Sequence, residues 1–405
     1  MNRKISLGAA IGIMALIAAA TFIITYNYSM KVFNATVKNV SEKEEIYTKL
    51  SEMDKYVRAN YFGSIDEQNL TDSIMQGYVS GLGDPYAVYC TAESYAELLQ
   101  RDAGVTVGLG FTWEREESGY IKVVSVKEGS PAFAGGMQAG DIITAVNNTD
   151  VIAYENGYEE ASGLLACAEG TKVKLHIKRV NENGFSDFFS VDLTSEKTEI
   201  ISVTSSLIDN VGYIKLSDFN EKTAMQLRNA LTTVIENGAE SLVFDLRGNN
   251  GELMTALADS LDCIIGDCDV VKAKYSDREE YVVHTTEAEK ISMPMAVIVN
   301  SGTASCGELF ALALRDEAKA QLVGTSTAGK GVMQDTHKLS GGAAVKVTVA
   351  TVETKNSGSF NGVGVKPNFE VALPSDVDLN ALNDENRLTL DTQLIKAVEV
   401  VQTIL

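Results

Sequence analysis

Close to its start the chain holds a long apolar run without charges, and then it changes texture. From Ile5 to Ile24 no position is charged. At about 1.5 Å per helical residue, that run matches the roughly 30 Å hydrocarbon core of a bilayer. It predicts a membrane-spanning helix. Arg3 and Lys4 precede it, and Tyr26 and Tyr28 sit where an interfacial aromatic belt would lie. The positive-inside rule then keeps the amino terminus in the cytoplasm and places everything after residue 30 outside it. Ala18-Ala19-Ala20 offers a cleavage site, but the run exceeds the usual h-region of about 7–15 residues, so an uncleaved anchor is expected. Cleavage would instead secrete the rest.

Further along, Ile46, Leu50, Met53 and Val57, then Leu70, Ile74 and Tyr78, recur at three- and four-residue steps. This spacing predicts two amphipathic helices separated at Gly63-Ser64. Gly81-Leu82-Gly83-Asp84-Pro85-Tyr86 is a turn signal, and Ala92 to Gln100 a third helix. From about Val105 to Leu193 short β-like runs follow, among them Tyr120–Val126 and Val173–Lys178, punctuated by Gly, Asn and Asp. After Leu193 strands alternate with helices: Val211–Leu216, Thr223–Asn237, Ser241–Leu246 and Met295–Val299. The expected fold class is α/β (α+β), divided as 1–30 anchor, 31–102 helical part, 103–196 β-rich module and 197–405 layered core. No fixed-period repeat is evident.

Composition removes several alternatives. Among 405 residues, 34 basic against 55 acidic side chains give a formal charge of −21, which disfavours nucleic acid as a partner. Five cysteines are too few for a disulfide scaffold, and Cys263 and Cys268 lack the paired spacing of a zinc site. Neither metal nor cofactor is expected.

The chemistry concentrates after Met295–Val299. The turn Ser301-Gly302-Thr303-Ala304-Ser305-Cys306-Gly307-Glu308 leads into the apolar run Leu309–Leu314. A strand entering a tight turn of small residues before a helix is a geometry that holds a nucleophile. Ser305 is the candidate, with the Cys306 amide facing the oxygen that gains charge. The same pattern also suits a serine that merely caps the helix. A serine needs a base, and none of the three histidines, His176, His284 and His337, has a triad-like context. Lys330, in Thr327-Ala328-Gly329-Lys330-Gly331-Val332, has no acid beside it in sequence and could serve if buried, because desolvation favours the neutral amine. Cys306 with His337 is a rival pair, since a thiolate is the better nucleophile.

Two resemblances sharpen this reading. Gly108-Leu109-Gly110-Phe111, about twenty residues before Gly129-Ser130-Pro131-Ala132 and Gly140-Asp141-Ile142-Ile143, resembles the carboxylate-binding loop and following segment of a PDZ domain. The order of motifs along nearly the whole chain from Ile46 resembles the C-terminal processing peptidases, or tail-specific proteases, which join a PDZ domain to a Ser-Lys core. Gly302 to Glu308 matches that family's G-S-A-S-A-S-E, Lys330 its G-K-G, and Gln334 a glutamine that orients the lysine. Gly81 to Tyr86 matches its G-L-G-D-P-Y, Phe244 to Gly251 its D-L-R-x-N-x-G, and Gly362 to Asn368 its G-x-G-I-x-P-D.

There are four departures. Gly251-Glu252 replaces the family's Gly-Gly, Cys306-Gly307 replaces Ala-Ser, Thr303 replaces a serine, and Asn368 replaces an Asp. A positive φ at Glu252 would strain the loop and misaim an oxyanion donor.

The resemblance implies a membrane-anchored extracytoplasmic serine endopeptidase. Ser305 would be the nucleophile, Lys330 the base and Gln334 its orienter, and Cys306 with Gly251 would form the oxyanion hole. Gly108, Leu109, Gly110 and Phe111 would hold protein tails with apolar C-terminal ends. The alternative is an inactive, membrane-tethered PDZ binding protein, with Glu252 as its supporting feature. Helices near Thr36–Tyr61 and Asp391–Leu405 leave homodimerisation open.

Overall fold

A computed structural model describes residues 7–181, 184–286, 290–375, 377–379 and 384–404. Arg3, Lys4 and Ile5 of the expected anchor, and Leu405 at the end of the expected last helix, lie outside the described residues. The chain divides into two units, one ending at Ser73 and the other beginning at Ile74.

In the first unit, Leu7–Asn60 is one continuous helix of 54 residues. The sequence pattern separates an apolar segment from an amphipathic one, but no Gly or Pro lies between Met30 and Asn60 to interrupt the backbone ladder. Among the described residues, the stretch long and apolar enough to cross a membrane is Gly12–Met30. Gly63 falls in the break before the next helix, Glu67–Ser80. Arg58 spans that break, its guanidinium donating to Glu67 Oε2 at 2.9 Å.

The second unit is built on three larger sheets. The central one runs in chain order: Val203–Ile208 pairs antiparallel with Val211–Leu216, followed in parallel by Ser241–Asp245, Met295–Val299, Gln321–Gly324 and Phe369–Glu370. Ser241–Asp245 and Met295–Val299 are buried throughout, as expected of parallel strands covered on both faces. Leu242, Phe244, Val297 and Val299 pack in the core that includes the helices Thr223–Glu236, Met254–Asp262 and Cys306–Ala318. Val243, Ala296 and Ile298 face the C-terminal helix Thr392–Ile404 through Leu394, Ala397 and Val401.

A second sheet centres on the long strand Ala344–Thr354, which pairs with Val88–Cys90, Cys268–Tyr275, Val332–Lys338 and Gly358–Ser359. The third sheet belongs to the β-rich module, whose core includes Ile121, Val123, Ile143, Leu175 and Ile177. The chain enters and leaves that module side by side, through an antiparallel ladder of Val105–Gly108 with Glu196–Glu199.

Two motifs serve the frame. Arg247 is buried between Asp245 and Asp391, with contacts of 2.5 Å and 2.7 Å, and fastens the C-terminal helix to the sheet. Asn368 accepts the Leu322 N–H at 2.9 Å, a structural contact at the sheet edge.

Candidate active site

The buried strand Met295–Val299 delivers the chain into a turn that its own side chains fix. Asn300 Oδ1 accepts the amides of Gly248 and Gly302 at 3.1 Å and 3.0 Å, and the Thr303 hydroxyl donates to Leu246 O at 2.8 Å. Ser305 follows at φ 53°, ψ −115°, immediately before the helix Cys306–Ala318, and is 3% exposed. A side chain held at positive φ costs about 1–3 kcal/mol and persists only where its surroundings impose it. A strand-to-helix elbow of this kind can present a nucleophile.

The residue that imposes it is Glu308, three positions on and fully buried. Its Oε2 accepts the Ser305 N–H at 3.0 Å and the Lys330 N–H at 2.8 Å. Its Oε1 accepts the Gly329 N–H at 2.7 Å and the Thr327 hydroxyl. One carboxylate oxygen therefore joins the backbones of the two residues singled out from sequence. Four donors offset the cost of burying its charge.

The Lys330 loop is braced from its other side. Gly362 N–H donates to Gly329 O at 2.8 Å, and Val365 N–H to Thr327 Oγ1 at 2.7 Å. Gly329 has φ 81°, and a Cβ there would lie 2.7 Å from Gly364 N. Glycine is required at this approach.

At its tip Lys330 differs from expectation. It has no acid nearby in sequence, but the fold brings Glu252 to it: Lys330 Nζ donates to Glu252 Oε1, and Lys346 Nζ to Oε2. The Lys330 and Lys346 side chains are 16% and 15% exposed and that of Glu252 33%. Burial pushes the Glu252 carboxyl up, but the hydrogen bonds and charges of the two ammonium groups outweigh it and hold the carboxyl below its usual range. The ring of Tyr86 lies 5.2 Å from Lys330 Nζ. Gln334 donates its amide to Tyr86 O at 2.5 Å, so its connection to Lys330 runs through Tyr86.

The two candidate oxyanion donors are engaged within the protein. Cys306 N–H donates to Gly251 O at 3.1 Å, and Gly251 N–H to Asn249 Oδ1 at 3.0 Å. Glu252 is not among the residues at positive φ, so the strain expected there does not arise. The Cys306 thiol is completely buried. Burial and the Glu252 charge push it up, while the Ser305 hydroxyl and the Lys330 charge pull it down by less. His337 is exposed on the strand Val332–Lys338, and burial keeps the balance at Cys306 on the side of the neutral thiol.

In the β-rich module, Gly108, Leu109, Gly110 and Phe111 line one cavity of about 410 Å³ together with Trp113 and Leu165. Leu109 and Phe111 are buried and also belong to the module's core. Gly110 has φ 86°, and a Cβ there would overlap Ser130.

Sequence reasoning missed Glu308, Lys346 and Tyr86 as parts of the site. Glu308 had a readable signal, the Ser-x-x-Glu spacing of a capping box. Tyr86 closes the Gly81–Tyr86 motif, which reads in the sequence as a turn, and Lys346 had no signal, because it arrives from a distant segment.

Comparison with known proteins shows the family. The description of peptidase family S41 matches residues 210–371, that of a PDZ domain residues 122–179, and that of the activating protease CtpB N-terminal domain residues 9–94. The chain is 31% identical over 388 residues to the carboxy-terminal processing protease CtpA of Bacillus subtilis, covering 95% of this chain and 80% of that protein. It is 27% identical over 395 residues to a probable CtpA-like serine protease of Staphylococcus haemolyticus, covering 96% and 77%. Among solved structures, a putative S41 protease from Bacteroides fragilis superposes with a TM-score of 0.51 at 17% identity, over 85% of this chain and 92% of that one. That last likeness is one of fold.

Proposed function

Since the chain belongs to peptidase family S41, as a serine-type C-terminal processing peptidase with a PDZ domain, we propose that it cleaves proteins with a Ser305–Lys330 dyad after its PDZ domain has captured their tails. The observation that carries this reading is the shared acceptor: Glu308 Oε2 binds the backbone amides of both Ser305 and Lys330. Ser305 Oγ attacks a peptide carbonyl carbon while Lys330, in its neutral form, takes the hydroxyl proton and passes it to the departing amine. Water then releases the acyl group by the same route in reverse. The Cys306 amide, once freed from Gly251 O, stabilises the oxyanion. Gln334 holds Tyr86 beside the lysine.

In the PDZ domain an extended peptide adds as a strand, and loop amides hold its terminal carboxylate. The apolar cavity at Gly108–Phe111 with Trp113 favours substrates with apolar final residues. The helix segment Gly12–Met30 anchors the protein, with its amino terminus cytoplasmic and its catalytic part outside. The binding-only alternative gains one observation, the pairing of Lys330 with Glu252.

One experiment decides. The full-length protein, Ser305→Ala and Lys330→Ala are each incubated with an unfolded protein ending in apolar residues, and with the same protein amidated at its C-terminus. Cleavage by the unaltered protein alone, reduced by amidation, is expected. No cleavage by any of the three supports the binder, and equal cleavage of both substrates removes the tail-recognition step.

A further inference from the structure

The resting site is occupied by the protein's own loop. Gly251 O takes the Cys306 N–H, and one residue further along the Glu252 carboxylate takes the tip of Lys330. The loop is tightly confined. Ala304 N–H donates to Asn249 O at 2.9 Å, and the approach depends on Gly307, where a Cβ would lie 2.7 Å from Asn249 O. A lysine bound to a carboxylate as an ammonium has no lone pair to accept a proton. An amide that already donates to a carbonyl cannot serve an oxyanion.

We infer that Glu252 is a positioning residue acting as a latch: with Gly251 O in the oxyanion position, it holds Lys330 charged, and the site becomes competent only when this pair of residues turns away. The inference rests on the Ser305–Lys330 reading. Lys346 is the second half of the device, because it draws on the same carboxylate and shares its charge. Turning Gly251 O out of the site requires rotation of the Gly251–Glu252 peptide. The family's second glycine tolerates the resulting φ values, whereas a residue with a Cβ resists them. One substitution thus works in two ways, through its carboxylate and through its backbone.

The other titratable and charged groups around the lysine tip include Tyr86, Cys90, Glu97, Arg101 and Lys346, which line the same cavity, Asp102, whose charge acts on Lys346 and Glu252, and the buried Cys306. Of these, Lys346 and Cys306 also sense the Glu252 charge, so substitution at Glu252 reaches them as well as Lys330. A neighbouring opposite charge favours an ionised group by roughly ten- to a thousandfold, which sets the expected size of the effect.

The test follows the rate at which a small fluorophosphonate labels Ser305 in the full-length protein, between about pH 6 and 9. Glu252→Gln should label at least about tenfold faster at neutral pH, with its rising limb displaced to lower pH. Glu252→Gly should be at least as fast, since its peptide also turns freely. Lys346→Met, which leaves Glu252 to Lys330 alone, should be slower than the unaltered protein. This opposition of sign is not produced by general damage to the site. Superimposed profiles for the unaltered protein and Glu252→Gln overturn the latch, as does a slower Glu252→Gln. Lys330→Ala on the Glu252→Gln background separates the two claims: silence keeps the dyad, and persistent labelling removes it together with the latch. No labelling of Ser305 in any variant also overturns both.

Discussion

Glu308 and Glu252 both bind the segment that carries Lys330, yet their surroundings differ. Glu308 is fully buried and accepts from three backbone amides and one hydroxyl, all of them neutral. Glu252 is a third exposed and accepts from two ammonium groups. Neutral, buried partners are indifferent to salt and change little with pH, so the first carboxylate acts as a fixed clasp on the backbone. A carboxylate a third open to solvent and bound to charged partners can be screened, protonated or exchanged, so the second is a reversible clasp on the side chain. The lesson is that burial and donor type, more than the count of contacts, separate a scaffold from a device.

The largest effect should come from the most buried carboxylates. Arg247→Met leaves Asp245 and Asp391 unpaired inside the protein, and should cost about 3–5 kcal/mol in denaturant unfolding. Next, Glu308→Gln presents an amide to at least one N–H donor. We expect a loss of about 1–3 kcal/mol and a fall of about 100-fold in turnover, because the Ser305 and Lys330 segments lose their common anchor. A variant that keeps full activity breaks the contrast at its firm end. Smaller again, Cys306→Ser keeps the backbone donor and should retain turnover within about tenfold, whereas abolition would restore the thiol reading.

The smallest effect concerns pH. The Glu252 carboxyl is depressed in the folded protein, so its contribution to stability is present above its unfolded value, about 4.3, and fades as pH falls through the folded value. In unfolding titrations Glu252→Gln should lose less stability below about pH 4.3 than the unaltered protein, by under about 1 kcal/mol given its exposure. An equal acid slope in both proteins would show that the pair contributes nothing to folding.

Much of the core was legible in the sequence because it is local and one-sided in its chemistry. Uniform apolar runs such as Met295–Val299 mark strands buried on both faces, and the small residues around Ser305 mark the turn that follows. The second sheet was not legible. Its central strand, Ala344–Thr354, alternates Val with Lys and Thr over residues 345–349 and so carries a strand signal of its own, but its partners Val88–Cys90 and Cys268–Tyr275 lie far off along the chain, and no local pattern encodes that pairing. The site suffers the same blindness over distance. Lys330 meets Glu252 across 78 residues and Gln334 meets Tyr86 across 248, separations that no local pattern encodes. The chemistry expected of Lys330 was read from its neighbours in sequence, and the charge that governs its tip came from the fold.

The central claim is that Lys330 acts as a base, which requires an amine able to give up its charge. Lys330→Arg keeps a cation at the same place but cannot be deprotonated in a protein. The most direct measurement is therefore the kcat/KM of full-length Lys330→Arg on an unfolded protein with an apolar tail. The account predicts a loss of about 10²–10⁴-fold, and activity retained within about tenfold of the unaltered protein would contradict it.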